Sequence, residues 1–185
     1  MTTIGWIGTG NMASAIIRGI TQKTQDYTMA AYSPNLAGKT DFPAQKLTSA
    51  AAVAKVSDIL FLAVKPYKMA EVLEEIKDVL KPETLVVSIA VSLTLDWYAE
   101  RLGQGVPIVR TLPNTCAAVG EGFTALTFNA KVTEAQKQQV ISLFAMTGKT
   151  AVIEEAQMNA VSALTGSTPA LIYMVIEAMA DAAVK

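Results

Sequence analysis

The chain has 185 residues, 51% of them hydrophobic and 17% charged, with a net charge of −1, one cysteine and no histidine. The apolar share sits at or slightly above the roughly 45–50% usual for globular proteins, and the charged share falls below the usual quarter or so; surface hidden in a partner copy is expected, and the near-neutral charge leaves no footprint for nucleic acid or anionic lipid. Without histidine there is no Ser-His-Asp or Cys-His catalysis, no common zinc site and no dehydrogenase that uses histidine as proton donor.

In chain order, residues 4–7 read as a strand, 11–20 as a helix ending near Gly19, and 27–32 as a second strand. Residues 59–64 and 85–89 are short apolar runs of the kind buried on both faces of a parallel sheet. Between them, 67–80 carries Met69, Val72, Leu73, Ile76, Val79 and Leu80 at helical spacing, with charges on the opposite face. Strands separated by helices of this size predict βαβ units and a doubly wound α/β sheet. Further strands are expected at 107–110 and 123–128. Thr133-Glu134-Ala135-Gln136 is a capping-box pattern opening a helix to Met146, with Gly148 placed to end it and 151–153 as a last edge strand.

Residues 156–164 form a helix pattern that Thr165-Gly166-Ser167-Thr168-Pro169 is expected to break, with Pro169 in the first turn of a new helix. From 170 to 185 that helix is apolar almost all round, its charges Glu177, Asp181 and Lys185 lying on one stripe. Such a helix must be buried, either by a second subunit or by further chain. The longest apolar runs, such as 59–64 and 169–176, are far shorter than the roughly 18 residues of a membrane span, and the N-terminus lacks a basic, apolar leader. Cys116 alone allows neither an intramolecular disulfide nor a CxxC pair, so a reducing cytoplasm and no metal site are expected.

Gly8-Thr9-Gly10-Asn11-Met12-Ala13 fits G-x-G-x-x-G/A, directly after the first strand and at the mouth of the first helix. The first glycine permits the tight turn, the second lets backbone approach a pyrophosphate, and the small Ala13 lets helix and strand pack closely, while the helix N-terminus faces the phosphate charge. An acidic residue about 20 positions on would read the ribose of NAD. Here Ser33-Pro34-Asn35 ends the second strand, and the next acidic residue is Asp41. Ser33 and Asn35 as hydrogen-bond partners of a 2′-phosphate, with charge from Lys39, favour NADP(H) and leave NAD(H) open; the alternative is a type I turn whose Ser and Asn serve only the backbone. Ala63-Val64-Lys65-Pro66 closes a buried strand at its carboxyl end, where ligands bind in such sheets. Lys65 either touches the cofactor or is a solvated strand-end lysine.

These pieces resemble the pyrroline-5-carboxylate reductase family. Gly8 to Ala13, Ala63-Val64-Lys65-Pro66, Arg110 with Pro113-Asn114-Thr115, Val119-Gly120-Glu121-Gly122, and Ile176-Glu177-Ala178 with Ala180-Asp181-Ala182-Ala183-Val184 match it in order. The resemblance implies NAD(P)H-dependent reduction of the cyclic imine 1-pyrroline-5-carboxylate to L-proline. It also implies an N-terminal Rossmann-type domain, taken as 1–154, and the first helices of an all-helical dimerisation domain, 155–185, that interlocks in a homodimer or larger ring. Family members continue past Lys185 through further helices and a loop that holds the substrate carboxylate. Departures from the family pattern are Cys116 in place of a proline, Ala90-Val91-Ser92 where an Ala-Gly turn is usual, the altered Thr165 to Leu171 segment, and Ala50 near an expected asparagine. Cofactor contacts carry over to the Gly8 loop, Ser33, Val64-Lys65-Pro66 and Ala90.

The implied chemistry suits a chain without histidine. A cyclic imine can arrive already protonated, so the protein has mainly to position it against the nicotinamide and exclude water. Asn114 and the Gly166-Ser167-Thr168 turn are the candidates nearest the reacting atoms. The structural alternatives are a turn residue after proline for Asn114 and a helix N-cap ahead of Pro169 for Thr168. Cys116, with no histidine to activate it, reads as a small apolar filler. A related imine or hydroxyacid reductase, and a non-catalytic NADP-binding paralogue with a regulatory or assembly role, are the competing functions.

Overall fold

A computed structural model describes residues 1–36 and 42–184. The first half lays down β1 (Thr2–Ile7), α1 (Asn11–Lys23), β2 (Tyr27–Tyr32), β3 (Gln45–Lys46), α2 (Ala50–Val56), β4 (Ile59–Leu62), α3 (Pro66–Ile76) and β5 (Leu85–Ser88). The second adds α4 (Leu95–Leu102), β6 (Ile108–Pro113), a 3-10 turn (Thr115–Val119), β7 (Gly122–Phe128), α5 (Glu134–Ala145) and β8 (Gly148–Val152). The strands form one sheet in the order β3-β2-β1-β4-β5-β6-β7-β8. Pairing is parallel from β3 to β6, β7 runs antiparallel to β6, and β8 is parallel to β7. Strand order reverses at β1, as expected for a doubly wound Rossmann-type sheet.

The apolar runs are strands because both faces of the sheet are covered. Ile59 and Phe61 of β4 face one layer, with Trp6, Ile16, Ile17, Leu143 and Phe144, while Leu60 and Leu62 face the other, with Met69, Leu73, Ile76 and Tyr98. A strand buried on both faces must be apolar at successive positions, which removes the alternation of a half-exposed one. Trp6 stacks on Phe61 with ring centroids 4.0 Å apart, and Phe61 meets Phe144 at 5.9 Å.

Two glycines expected to end helices have other tasks. α1 continues through Gly19 to Lys23, and a Cβ on Gly19 would lie 2.6 Å from Thr147 Cγ2, so the residue lets α1 pack closely on the β8 entry. Gly148 opens β8 rather than closing α5; its φ is +149°, and a Cβ there would meet the backbone of Gly122. The capping box at Thr133 and Gln136 forms as expected. α3 stops at Ile76, short of the expected Leu80.

The largest departure lies after β8. Residues Glu155–Val184 are helical throughout: a 3-10 turn (Glu155–Gln157), α6 (Met158–Val161), a π turn (Ser162–Gly166) and α7 (Thr168–Val184). Pro169 does fall in the first turn of a new element, α7, as expected, but the wider π turn before it keeps the pieces in one continuous run instead of breaking them apart. By length and composition this 30-residue helix is long and apolar enough to cross a membrane, which the count of uninterrupted apolar runs missed. Nor is α7 buried within the single chain: Leu171, Tyr173 and Met174 are 58%, 63% and 65% exposed. The sheet's two faces are already covered by the helices before it, and among the described residues nothing packs over α7.

Candidate dinucleotide site

The crevice between β1 and β4, where strand order reverses, is the position at which open α/β sheets bind ligands. β1 delivers Gly8 there with φ +97°, and its N–H donates to the Tyr32 carbonyl at 2.8 Å. A Cβ on Gly8 would come within 2.5 Å of the Ala63 carbonyl oxygen at the end of β4, so only glycine lets the two strand ends lie this close. Gly10 differs. Its φ is an ordinary −67°, and a Cβ would meet nothing among the described residues within 4 Å. The backbone there faces open space at the start of α1. Among the described residues the N-cap Gly10 supplies no side-chain cap and the first turn holds no acidic group, so the leading N–H groups and positive dipole end face the site where an anion would lie. Thr9 is buried, Asn11 exposed and Met12 half-buried against the core, while Ala13 is fully packed beneath the turn.

The remaining candidates surround the same edge of the sheet. Ser33 and Asn35 follow β2 in a turn closed by the Leu36 N–H on the Ser33 carbonyl at 2.9 Å, and among the described residues neither side chain forms a hydrogen bond. Lys39 lies outside the described residues. Ala63 extends the β4 ladder through its N–H to Ile7 at 2.8 Å, Val64 is half-buried, and Lys65 and Pro66 are exposed at the first turn of α3. Ala90 follows β5, its N–H donating to Ser88 Oγ at 3.1 Å.

The three candidates for the reacting end lie at the exit of β6 and on the C-terminal helix. Asn114 spends both ends of its amide on backbone: Oδ1 accepts from Phe123 N at 3.1 Å and Nδ2 donates to the Thr165 carbonyl at 3.3 Å. Pro169, four residues on, has no N–H to offer that carbonyl, so Asn114 takes the place of the missing helical bond. Thr168 does not act as an N-cap: the helix runs through it, and its Oγ1 donates back to the Leu164 carbonyl. Ser167 is exposed. The 3-10 turn that follows Asn114 packs beside α1, and a cleft of about 750 Å³ between them is lined by Asn11, Arg18, Lys23 and Glu121. Among the described residues no group of His, Cys, Asp and Glu gathers to hold a metal ion.

A buried polar network adjoins Ala90, and periodicity did not reveal it. Ser88 Oγ and Tyr98 Oη are 2.6 Å apart, and Thr111 Oγ1 donates to the Ser88 carbonyl at 3.0 Å. Burial pushes the Tyr98 phenol up to about 12, with the Ser88 hydrogen bond and the nearby Arg110 charge acting the other way. Arg110 donates through Nη1 to Glu155 at 2.9 Å and through Nη2 to the Val91 carbonyl. Glu155 also accepts the Leu95 N–H at 2.8 Å.

Residues 3–92 match the family model for NADP oxidoreductase, coenzyme F420-dependent, and residues 155–185 match that for pyrroline-5-carboxylate reductase dimerisation. Pyrroline-5-carboxylate reductase of Escherichia coli K12 is 42% identical over 187 residues, covering 98% of this chain and 70% of that protein. The enzyme of that name from Methanosarcina acetivorans is 36% identical, covering 98% and 69%. Among solved structures, pyrroline carboxylate reductase of Plasmodium falciparum with NADP bound superposes with a TM-score of 0.91 at 31% identity, covering 99% of this chain and 69% of that one. An imine reductase from Myxococcus stipitatus, at 18% identity and a TM-score of 0.70, shares the fold alone. With 42% identity along nearly its whole length to a relative of which it spans 70%, the chain belongs to the pyrroline-5-carboxylate reductase family.

Proposed function

We propose that the chain binds NADP(H) across the end of β1 and takes part in reducing 1-pyrroline-5-carboxylate to L-proline. The observation that carries the reading is the contrast at the Gly8 turn: Gly8 is packed against Ala63, while Gly10 opens on empty space before an uncapped helix. Residues with those two surroundings fit a pyrophosphate laid over the turn. Ser33 and Asn35 lie at the β2 side, where the adenosine ribose of a bound dinucleotide falls, so the nicotinamide end runs toward Ala63–Pro66 and Ala90. NADPH, when bound, supplies the hydride. The chain's own part is to orient the two reactants and shield them from water, since a protonated imine needs no strong acid from the protein.

Asn114 acts by position. Its amide ties the turn after β6 to the Thr165 carbonyl and so sets how the long helix meets the sheet. Ser167 and Thr168 stand on that helix as the side chains nearest the imine. The exposed apolar surface of α7 is covered by a second copy of the chain, in a homodimer or larger ring; the match of 155–185 to a dimerisation family supports this reading.

The test follows NADPH absorbance on addition of pyrroline-5-carboxylate, with the purified chain and with a hybrid carrying the unmatched remainder of the E. coli relative. Turnover by either form supports the proposal. NADPH binding without turnover by both would leave a dinucleotide-binding protein and remove the enzyme.

A further inference from the structure

Glu155 opens the C-terminal helix, yet its carboxylate is committed to the sheet. Oε1 accepts from Arg110 Nη1 at 2.9 Å and from the Leu95 N–H at 2.8 Å. The Arg110 side chain is only 5% exposed, and its Nη2 donates to the Val91 carbonyl. From the other side Ser88 Oγ, itself held by Tyr98, accepts the Ala90 N–H. The turn between β5 and α4 is thus fixed at Ala90, Val91 and Leu95 by side chains from β5, from β6 and from the first turn of the long helix. Arg110 Nε is buried and finds no hydrogen-bond partner among the described residues. A guanidinium kept buried in an imperfect setting is weak support for stability, since apolar residues of similar volume serve that purpose as well or better. Its geometry is better explained by what it aligns.

We propose that the Arg110–Glu155 pair is a positioning latch that couples the C-terminal helix to the nicotinamide side of the cofactor site, through the Ala90–Leu95 turn. The inference rests on the dinucleotide reading above and deepens it. A shift of the long helix moves Glu155, frees Arg110 and loosens the Ala90–Leu95 turn, on the side of the site where the nicotinamide would be held. The Gly8 loop, held by β1 and β4, stays in place. Assembly through the helix therefore tunes one end of the cofactor site and leaves the other unaffected.

That asymmetry sets the experiment. Dissociation constants for NADPH and for 2′-phospho-ADP-ribose, which lacks the nicotinamide, are measured by titration calorimetry on the chain and on Glu155→Ala. The variant should bind NADPH about fivefold or more weakly, the low end of ordinary coupling between sites, and bind the fragment within about twofold of the parent. Equal weakening of both ligands, as from general loosening of the fold, would overturn the latch; so would no change in either. Because Glu155→Ala strands a buried charge, the paired change Arg110→Met with Glu155→Leu is measured beside it; this removes both charges together and should show the same ligand asymmetry in a folded chain. A parent chain that binds neither ligand overturns the dinucleotide reading and the latch with it, whereas normal parental binding with unaltered variants overturns the latch alone.

Discussion

Replacing Gly8 and Gly10 by alanine, one at a time, separates what the motif does for the fold from what it does for the ligand. At Gly8 the methyl group meets the Ala63 carbonyl oxygen at 2.5 Å, and the backbone is held at φ +97°. A non-glycine residue in so sparsely populated a region costs of order 1–3 kcal/mol. Moving the Ala63 carbonyl away also strains the 2.8 Å bond from Ala63 N to Ile7, the last rung between β4 and β1. Loss of that rung adds about 1 kcal/mol, for a total of about 2–4 kcal/mol. At Gly10 neither penalty applies, and a poorer N-cap costs about 1 kcal/mol at most. Urea unfolding followed by circular dichroism should show the Gly8→Ala midpoint lowered by about 1–2 M, given slopes of about 1–3 kcal/mol/M, and Gly10→Ala lowered by about 0.5 M at most. NADPH titration should nevertheless show Gly10→Ala weakened about tenfold or more, equivalent to about 1.4 kcal/mol, because the methyl fills the space left for phosphate. An unmoved Gly8→Ala midpoint would show that the strand ends tolerate a side chain there, and wild-type NADPH affinity in Gly10→Ala would take the phosphate away from that turn.

Three further outcomes are expected. Ser33→Asp should turn cofactor preference toward NADH, since a carboxylate repels the 2′-phosphate and suits a free ribose hydroxyl; an unchanged NADPH/NADH affinity ratio removes Ser33 from that site. The Tyr98 phenol ionises near 12 in the folded chain against an ordinary value of 10.0. The folded state therefore keeps its proton where the unfolded state has lost it, so this contribution to stability is whole below about pH 10 and declines toward pH 12. Tyr98→Phe should flatten that alkaline decline in urea midpoints measured from pH 9 to 11.5, and an unchanged slope would count against it. Finally, Leu171→Glu with Met174→Lys alters side chains already exposed in the single chain, so it should lower the mass seen by light scattering without lowering the unfolding midpoint of the sheet domain.

What could be read from the sequence was local. The Gly8–Ala13 turn, the Thr133–Gln136 capping box and the doubly buried strands announce themselves within a few residues, because each depends on backbone geometry or on packing from both sides. Ser49 and Thr94 likewise cap α2 and α4, accepting from Ala52 and Trp97 at 3.0 and 3.2 Å, a local signal that helical periodicity passed over in such short helices. The misreadings have partners far along the chain. Gly19 is glycine because of Thr147, and Gly148 because of Gly122. The helix survives Pro169 because a π turn precedes it and Asn114 of a distant strand end takes the carbonyl that proline leaves free. Glu155 had no local mark at all; its partners Arg110 and Leu95 lie 45 and 60 residues away.

Hydride transfer from NADPH to the imine can be followed by an isotope label. NADPH carrying deuterium at the transferable C4 position of its nicotinamide is supplied with pyrroline-5-carboxylate to the hybrid completed with the E. coli remainder, and the proline formed is examined by mass spectrometry. One deuterium is expected in the product, at the carbon that was the imine carbon, with a lower yield of that product from the Gly10→Ala form at sub-saturating NADPH. Unlabelled proline, or no proline from a hybrid that binds NADPH, would contradict that transfer.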